Sequence, residues 1–474
     1  MLVVGVGIVY SAAPAPINSD ENVLKNSEKE KIKEWNNKIR RDKFDIILPK
    51  ILRKHKIDMW IHVMRIAIPD QFGAEELGST SGVFVFTDRG GDRIERAILG
   101  RRWGSTQRNW GEQDHQLVEK CGAYDIVGKS VFVSEPIGSP MLEYDFRFKG
   151  LREFVKTRNP KRIAVNFIKD LGMWETYTDF GGAKDGLSHT DYLLLEEELG
   201  DKFSKRLVSS EYLIMEYITR KVPSEIKLLK KIRMDNIKKV KKAFSKVVPG
   251  VTNRREARVT IFRRRSTGVS QRGRSEGFGG NVIQRGDIIA SPSQGMYAYV
   301  LRENETAPPP EIQKLWKEYL KIDKILAETI KAGLTPREIK KNYMKKFKKA
   351  GIIVRENQMH MMRPKNNFPS YTEGYEPGKT HLSIDCHGMM KGARNEPDEN
   401  YLGPRISSLG PTWAWDIPLP MNHHFVLEYF FYMPSPGKDG EDQYLLWWDH
   451  EQSLATDKGV QYLSQPQKEL YLIK

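Results

Sequence analysis

The sequence predicts an α+β protein of two domains, an α/β domain first and an antiparallel-sheet domain with helices second. Three observations predict it. The chain has 474 residues, and at roughly 100–200 residues per domain that exceeds one ordinary core. Residues 41–222 alternate strand-like and helix-like stretches, which is the α/β pattern. Residues 223–474 place amphipathic helices before a run of strands, which is the α+β pattern.

The elements follow in order. Residues 1–16, MLVVGVGIVYSAAPAP, join an apolar run to the small residues Ala12, Ala13 and Ala15. That resembles the end of a secretory signal with an A-x-A-like cleavage site, although a positive start is missing. A secreted or periplasmic location follows if the segment is a signal, and a cytoplasmic one otherwise. Residues 17–40 are polar and charged and read as a linker or a first helix. KFDIILPKILRKHKIDMWIHVMR reads as an amphipathic helix and then an apolar strand, and SGVFVFTDRGGDRIERAILG as a hairpin on a Gly turn. GKSVFVSEP is strand-like, GLREFVKTRNP helical and KRIAVNFIKD a strand. DYLLLEEELGDKF is helical, and RLVSSEYLIMEYI is a strand running into a helix.

Pro223 opens the second domain, because proline suits the first turn of a helix. Ile226, Leu229, Ile237, Val240, Phe244 and Val247 recur at helical spacing until Pro249-Gly250 stops the helix. Two further helices carry Ile312, Leu315, Tyr319, Ile322, Leu326 and Ile330, and then Ile339, Tyr343 and Phe347 after Pro336. These stripes are core faces. The last hundred residues contain HLSIDCHG, HHFVLEYFFYM, YLLWWDHEQSLAT and ELYLIK, each bounded by Gly, Pro or Asn. They read as an antiparallel sheet with long connections.

Composition narrows the function. Hydrophobic residues at 39% and aromatics at 10% supply a packed core and exclude wholesale disorder. No run of about 18 apolar residues occurs, so no membrane-spanning helix is expected. The net charge of +16 favours acidic partners in general. Nucleic acid is only a minor reading, because no nucleic-acid-binding signature accompanies the charge. Two cysteines, Cys121 and Cys386, exclude a disulfide framework and a cysteine-rich zinc site. The CxxC, HExxH and P-loop patterns are missing.

The chemistry lies in the late strands. Alternation puts His424, Val426 and Glu428 on one face of HHFVLEYFF, and His381, Ser383, Asp385 and His387 on one face of HLSIDCHG. In YLLWWDHEQSL, His450 shares a face with Trp448 and Gln452, and Glu451 with Asp449. His387, Glu428 and either His450 or Glu451 are therefore candidates for one inward cluster. Imidazole and carboxylate are ligands for a divalent transition metal, which could generate a hydroxide nucleophile.

RLVSSEYLIMEYITRKVPSEIKLLKKIRMDNIKKVKKAFSKVVPGVT resembles the domain junction of the pita-bread metallopeptidases. These are the Xaa-Pro aminopeptidases, Xaa-Pro dipeptidases, methionine aminopeptidases and creatinase. KIDMWIHVMR and FVFTDRGGDRIERAI look like the start of the creatinase-type amino-terminal domain, with IAVNF and DGLSHTDY as its later strands. VIQRGDIIA, GMYAYVLRENETAPP, IDCHG, LGPRIS, NHHFVLEYFFYMPSP and LATDKGVQYLS look like the catalytic domain.

The resemblance implies a creatinase-type domain over 41–222 and a pita-bread domain of helices around a curved antiparallel sheet over 223–474. It implies hydrolysis of peptides with proline in second position, and commonly a homodimer. In the family two Asp, one His and two Glu hold two divalent ions. Here His387 falls on the family's His and Glu428 on its penultimate Glu. The final Glu aligns with His450, with Glu451 beside it. Pro292 and Ser293 stand about where the Asp ligands belong. Arg264 or Arg265 lies near a substrate-facing His of the family, and Arg394 replaces a second active-site His. The expectation is one divalent ion, manganese, zinc or cobalt, rather than a dinuclear pair. Arginines would supply positive charge for a peptide carboxylate or another anion. The alternative is a catalytically inactive relative that binds peptide or a partner in the same cleft.

Overall fold

A computed structural model of the chain describes residues 19–64, 76–78, 82–99, 121–128, 148, 150–169, 187–262, 264–266, 282–355, 378–388, 404–406, 413–436 and 442–474. The signal-like segment 1–16, Arg394 and all but the first residue of the strand-like GKSVFVSEP lie outside them.

The stretch read as a linker or first helix is helical from its third residue. Helix α1 runs from Ser19–Ile46 and carries Ile39 and Phe44 into the first core. A short helix α2 (Leu48–Lys54) has Pro49 in its first turn and buries Leu48, Ile51 and Leu52. Strands β1 (Met59–Met64), β2 (Gly82–Thr87) and β3 (Glu95–Leu99) form an antiparallel meander. The expected hairpin is its β2–β3 half. Then come β4 (Ile126–Val127), α3 (Leu151–Arg158), β5 (Ile163–Val165), α4 (His189–Ser204), β6 (Leu207–Ser209) and α5 (Glu211–Thr219). The sheet order is β4-β3-β2-β1-β5-β6, with β4, β5 and β6 each joined in parallel.

Alternation splits this sheet between two cores. Trp60, Phe84 and Phe86 enter one with α1 and α2, and Met59, Ile61, Val63, Val83 and Val85 enter the other with α3 and α4. Covering both faces is why these strands read as continuous apolar runs. The DGLSHTDY stretch departs from expectation. Its described part is the start of α4, where the Ser188 side chain caps the helix by accepting from the Asp191 amide. A serine before a helix-forming run competes for the backbone amides of a first turn, so it starts a helix rather than a strand.

The second region begins with α6 (Pro223–Phe244), opened by its proline as expected. It packs on a four-stranded sheet ordered β17-β10-β9-β7, through Ile237, Phe244, Ile261, Ile289 and Ala298. The strands are β7 (Thr260–Phe262), β9 (Ile288–Ser291), β10 (Met296–Val300) and β17 (Tyr471–Ile473). A one-turn helix α7 (Arg254–Ala257) precedes β7. Helices α8 (Pro310–Thr329) and α9 (Pro336–Lys349) bury the predicted stripes. Helix α9 starts on a capping box, in which Thr335 and Glu338 each bond the other's backbone amide.

A seven-stranded sheet completes the fold. Its main path is β11 (Ile353–Val354), β12 (His381–Ile384), β14 (His423–Pro436), β15 (Asp442–Thr456) and β16 (Gly459–Tyr462). Strand β13 (His387–Gly388) pairs with β14, and β8 (Arg264–Ser266) with β15. A short helix α10 (Trp413–Asp416) precedes β14. The pairing is antiparallel, as expected, except at the β11–β12 edge. Phe425, Leu427, Tyr429, Phe431 and Met433, every second residue of β14, pack with α8 and α9 in the main core. The intervening residues face the other way, and the candidate site is built there.

Candidate metal centre

Register brings the site together. In the antiparallel β14–β15 ladder Glu428 stands opposite His450, and in the β13–β14 pair His387 stands opposite Val426. Val426 and Glu428 are two residues apart, so their side chains share a face. His387, Glu428 and His450 thus converge from three strands. They are buried, and one donor atom from each lies within 4.8 Å of the others.

The hydrogen bonds show what this trio fits. His387 Nε2 lies 3.1 Å from Glu428 Oε2, and His387 Nδ1 lies 3.3 Å from the Gly388 carbonyl oxygen. A carbonyl only accepts, so this contact calls for a proton on Nδ1. In a neutral ring Nε2 then carries a lone pair aimed at a carboxylate oxygen. Two acceptors at that distance need a cation between them, either a proton or a metal ion. Ligands at about 2.1 Å in a tetrahedron stand about 3.4 Å apart, close to the 3.1 Å between His387 Nε2 and Glu428 Oε2. A ring N–H bonded to a backbone carbonyl also accompanies histidine ligation generally. Two imidazoles and a carboxylate make a recognised protein ligand set for a single zinc-type ion.

The remaining acids are engaged elsewhere. Glu451 stands opposite Leu427, so it points to the face opposite His450. Of the two residues kept open for the final ligand, the structure brings in His450 and leaves Glu451 out. Glu451 instead accepts from the Arg233 guanidinium of α6 at 2.5 Å. Arg233 also donates to the Ser293 carbonyl at 2.6 Å and to Gln294 Oε1 at 3.0 Å. Pro292 to Gln294 form a 3₁₀ turn between β9 and β10, at the position where the resemblance places acids. Gly295 closes that turn with φ +53°, and a Cβ there would strike the Glu451 carboxylate and the Arg233 guanidinium. Asp385, on the Glu428 face, is clamped by Arg405 through two bonds of 2.7 and 2.5 Å. Both partners are buried.

Behind the site, Asp449 accepts from Tyr297 at 2.5 Å and Tyr319 at 3.4 Å. Burial pushes the Asp449 carboxyl well above its ordinary range, and the nearby charges of Glu451 and Asp323 push it further. Burial also raises Glu451, against the opposing pull of Arg233. Asp323 accepts from Tyr462 at 2.7 Å, and burial raises it to about 7.

Arg264 and Arg265 belong to β8, where their backbones pair with Leu445 and Tyr444. His450 lies five residues beyond Leu445, about 17 Å along the strand at about 3.4 Å per residue. The backbone therefore does not bring them to the trio.

Sequence reasoning missed Arg233, Arg405 and the hydrogen bond of Trp448. The Trp448 indole N–H donates to Glu428 Oε1 at 3.2 Å. A signal existed for Trp448, which shares the alternation of His450. None existed for the arginines, whose partners lie 218 and 20 residues away.

No protein-family model matches the chain. No curated protein matches it either. Solved structures do. The X-Pro aminopeptidase from Thermotoga maritima superposes with a TM-score of 0.50 at 13% identity, over 90% of this chain and 100% of that one. The Xaa-Pro dipeptidase from Bacillus anthracis gives 0.45 at 15% identity, over 90% and 98%. The prolidase from Pyrococcus horikoshii gives 0.42 at 14% identity, over 93% and 99%. On the first of these, spanning both regions of the molecule, this chain has the pita-bread fold of the X-Pro aminopeptidases.

Proposed function

We propose that the protein is an Xaa-Pro-type metallo-aminopeptidase that works with one divalent ion, on peptides with proline in second position. One observation carries the reading: the convergence of His387, Glu428 and His450, from three strands, on a point that two acceptors already share. When bound, a divalent ion there lowers the pKa of its water and polarises a peptide carbonyl. The chain's own part is to hold the donors. The Gly388 carbonyl fixes the His387 tautomer, and Trp448 anchors one oxygen of Glu428 while the other faces His387.

A second reading has its own support. Asp385 and Glu451, each within two residues of a member of the trio, are each locked to a buried arginine, and Asp449 accepts from tyrosine hydroxyls. Among the described residues the grouping stops at three donors. A site that binds a peptide without cleaving it would look the same.

Metal analysis of the purified protein, followed by an assay on an Xaa-Pro peptide with added manganese, zinc or cobalt, separates the two. One bound ion per chain, with release of the amino-terminal residue that His387→Ala abolishes, supports the enzyme. An ion or peptide bound without turnover supports the inactive relative.

A further inference from the structure

We propose that Trp448 is a positioning residue for the metal centre, aiming the Glu428 carboxylate and the His450 ring at the ion. The inference rests on the single-ion reading above and adds to it the group that sets ligand orientation.

Glu428 has two oxygens with different surroundings. Oε2 faces His387 at 3.1 Å, and Oε1 accepts the Trp448 indole N–H at 3.2 Å. Among the described residues Trp448 is the side-chain donor to Oε1. An indole nitrogen donates and never accepts, so it cannot compete with Glu428 for a cation. Bonding one oxygen leaves the other as the single ligand atom, which favours monodentate binding in a defined direction.

The donor is itself held. Trp448 stands opposite Phe430 in the ladder, and the two rings stack in parallel, 5.7 Å apart with planes 2° from each other. Its ring also meets the His450 ring edge-to-face, at 5.7 Å and 61°. One indole therefore touches two of the three ligands, and cross-strand stacking fixes its own orientation. Outer partners that orient ligands typically contribute 10–100-fold to metal affinity.

The test uses cobalt(II), whose visible absorption reports ligand geometry, and affinity measured by chelator competition. Trp448→Phe keeps a stacked ring and deletes the N–H. We expect about 10–100-fold weaker cobalt binding, with the visible bands moved and the unfolding midpoint of the metal-free protein preserved. Phe430→Leu keeps the N–H and frees the ring, and should give a smaller loss in the same direction. It also serves if Trp448→Phe fails to fold. If the parent protein binds cobalt and both variants match it in affinity and spectrum, the positioning role is overturned and the three-ligand site stands. If the parent protein binds no cobalt, the site itself fails and the positioning role falls with it.

Discussion

The two faces of one strand, β15, carry opposite chemistry within three residues. His450 faces the site with Glu428 and His387, while Asp449 and Glu451 face the helices and the β9–β10 turn. All three are buried, so exposure does not distinguish them. What differs is the partner. Glu451 has a guanidinium and Asp449 has tyrosine hydroxyls, whereas the His387–Glu428 contact has two acceptors and needs a cation. An acid in a buried site is therefore a ligand candidate only when no permanent cation already holds it.

The largest expected effect breaks the ligand face. His387→Ala or Glu428→Gln should weaken divalent-metal binding more than about 100-fold, beyond the range for outer partners. Isothermal titration with zinc measures this directly. Equal affinity in either variant would mean that the ion, if any, binds elsewhere. Next is the supporting face. Arg233→Met leaves Glu451 as a buried charge without its partner, and breaking such a pair costs about 3–5 kcal/mol. Burial already raises the Glu451 carboxyl. A protonated Glu451 tolerates the loss better, so the penalty measured by denaturant unfolding should shrink as pH falls from neutral towards 5.

Much of this fold was legible from the sequence because it depends on local signals. Pro223 and Pro336 stand in the first turns of long helices, and period-two alternation places Glu428 with His424 and His450 with Trp448. With β13, β14 and β15 as neighbours, alternation alone brings His387 and Glu428 together with either His450 or Glu451. The choice between His450 and Glu451 stayed open, because it depends on which β15 face meets Glu428. Register decides that, and so does an arginine 218 residues earlier. At Ser188 the resemblance implies a strand, whereas the serine cap and its helix-forming neighbours start α4 there.

A pH experiment sharpens the comparison further. Asp323 sits with Tyr429 and Tyr462, and feels Glu451. Burial raises it from 3.8 to about 7. In that window the folded state holds a proton that the unfolded state has released. Its contribution to stability is therefore complete below about pH 4 and is lost as pH rises through about 7. Asp323→Asn, which stays neutral, should remove that part of the pH dependence. Unfolding curves at pH 5 and pH 8 check it: the gap in stability between the two should be narrower in the variant.

The smallest expected effect is the most discriminating. Glu451→Gln keeps the size of the side chain and a hydrogen-bond acceptor for Arg233, but removes the charge. If Glu451 is a supporting residue on the far face of β15, zinc affinity should change less than about threefold, which is under 1 kcal/mol. The unfolding midpoint should fall, because Arg233 loses its charged partner. If instead Glu451 is a ligand, affinity should drop as far as it does in Glu428→Gln. The two outcomes differ by more than tenfold in the same titration. Its reading is independent of whether the protein turns over peptide, because it asks only which face of the strand holds the ion.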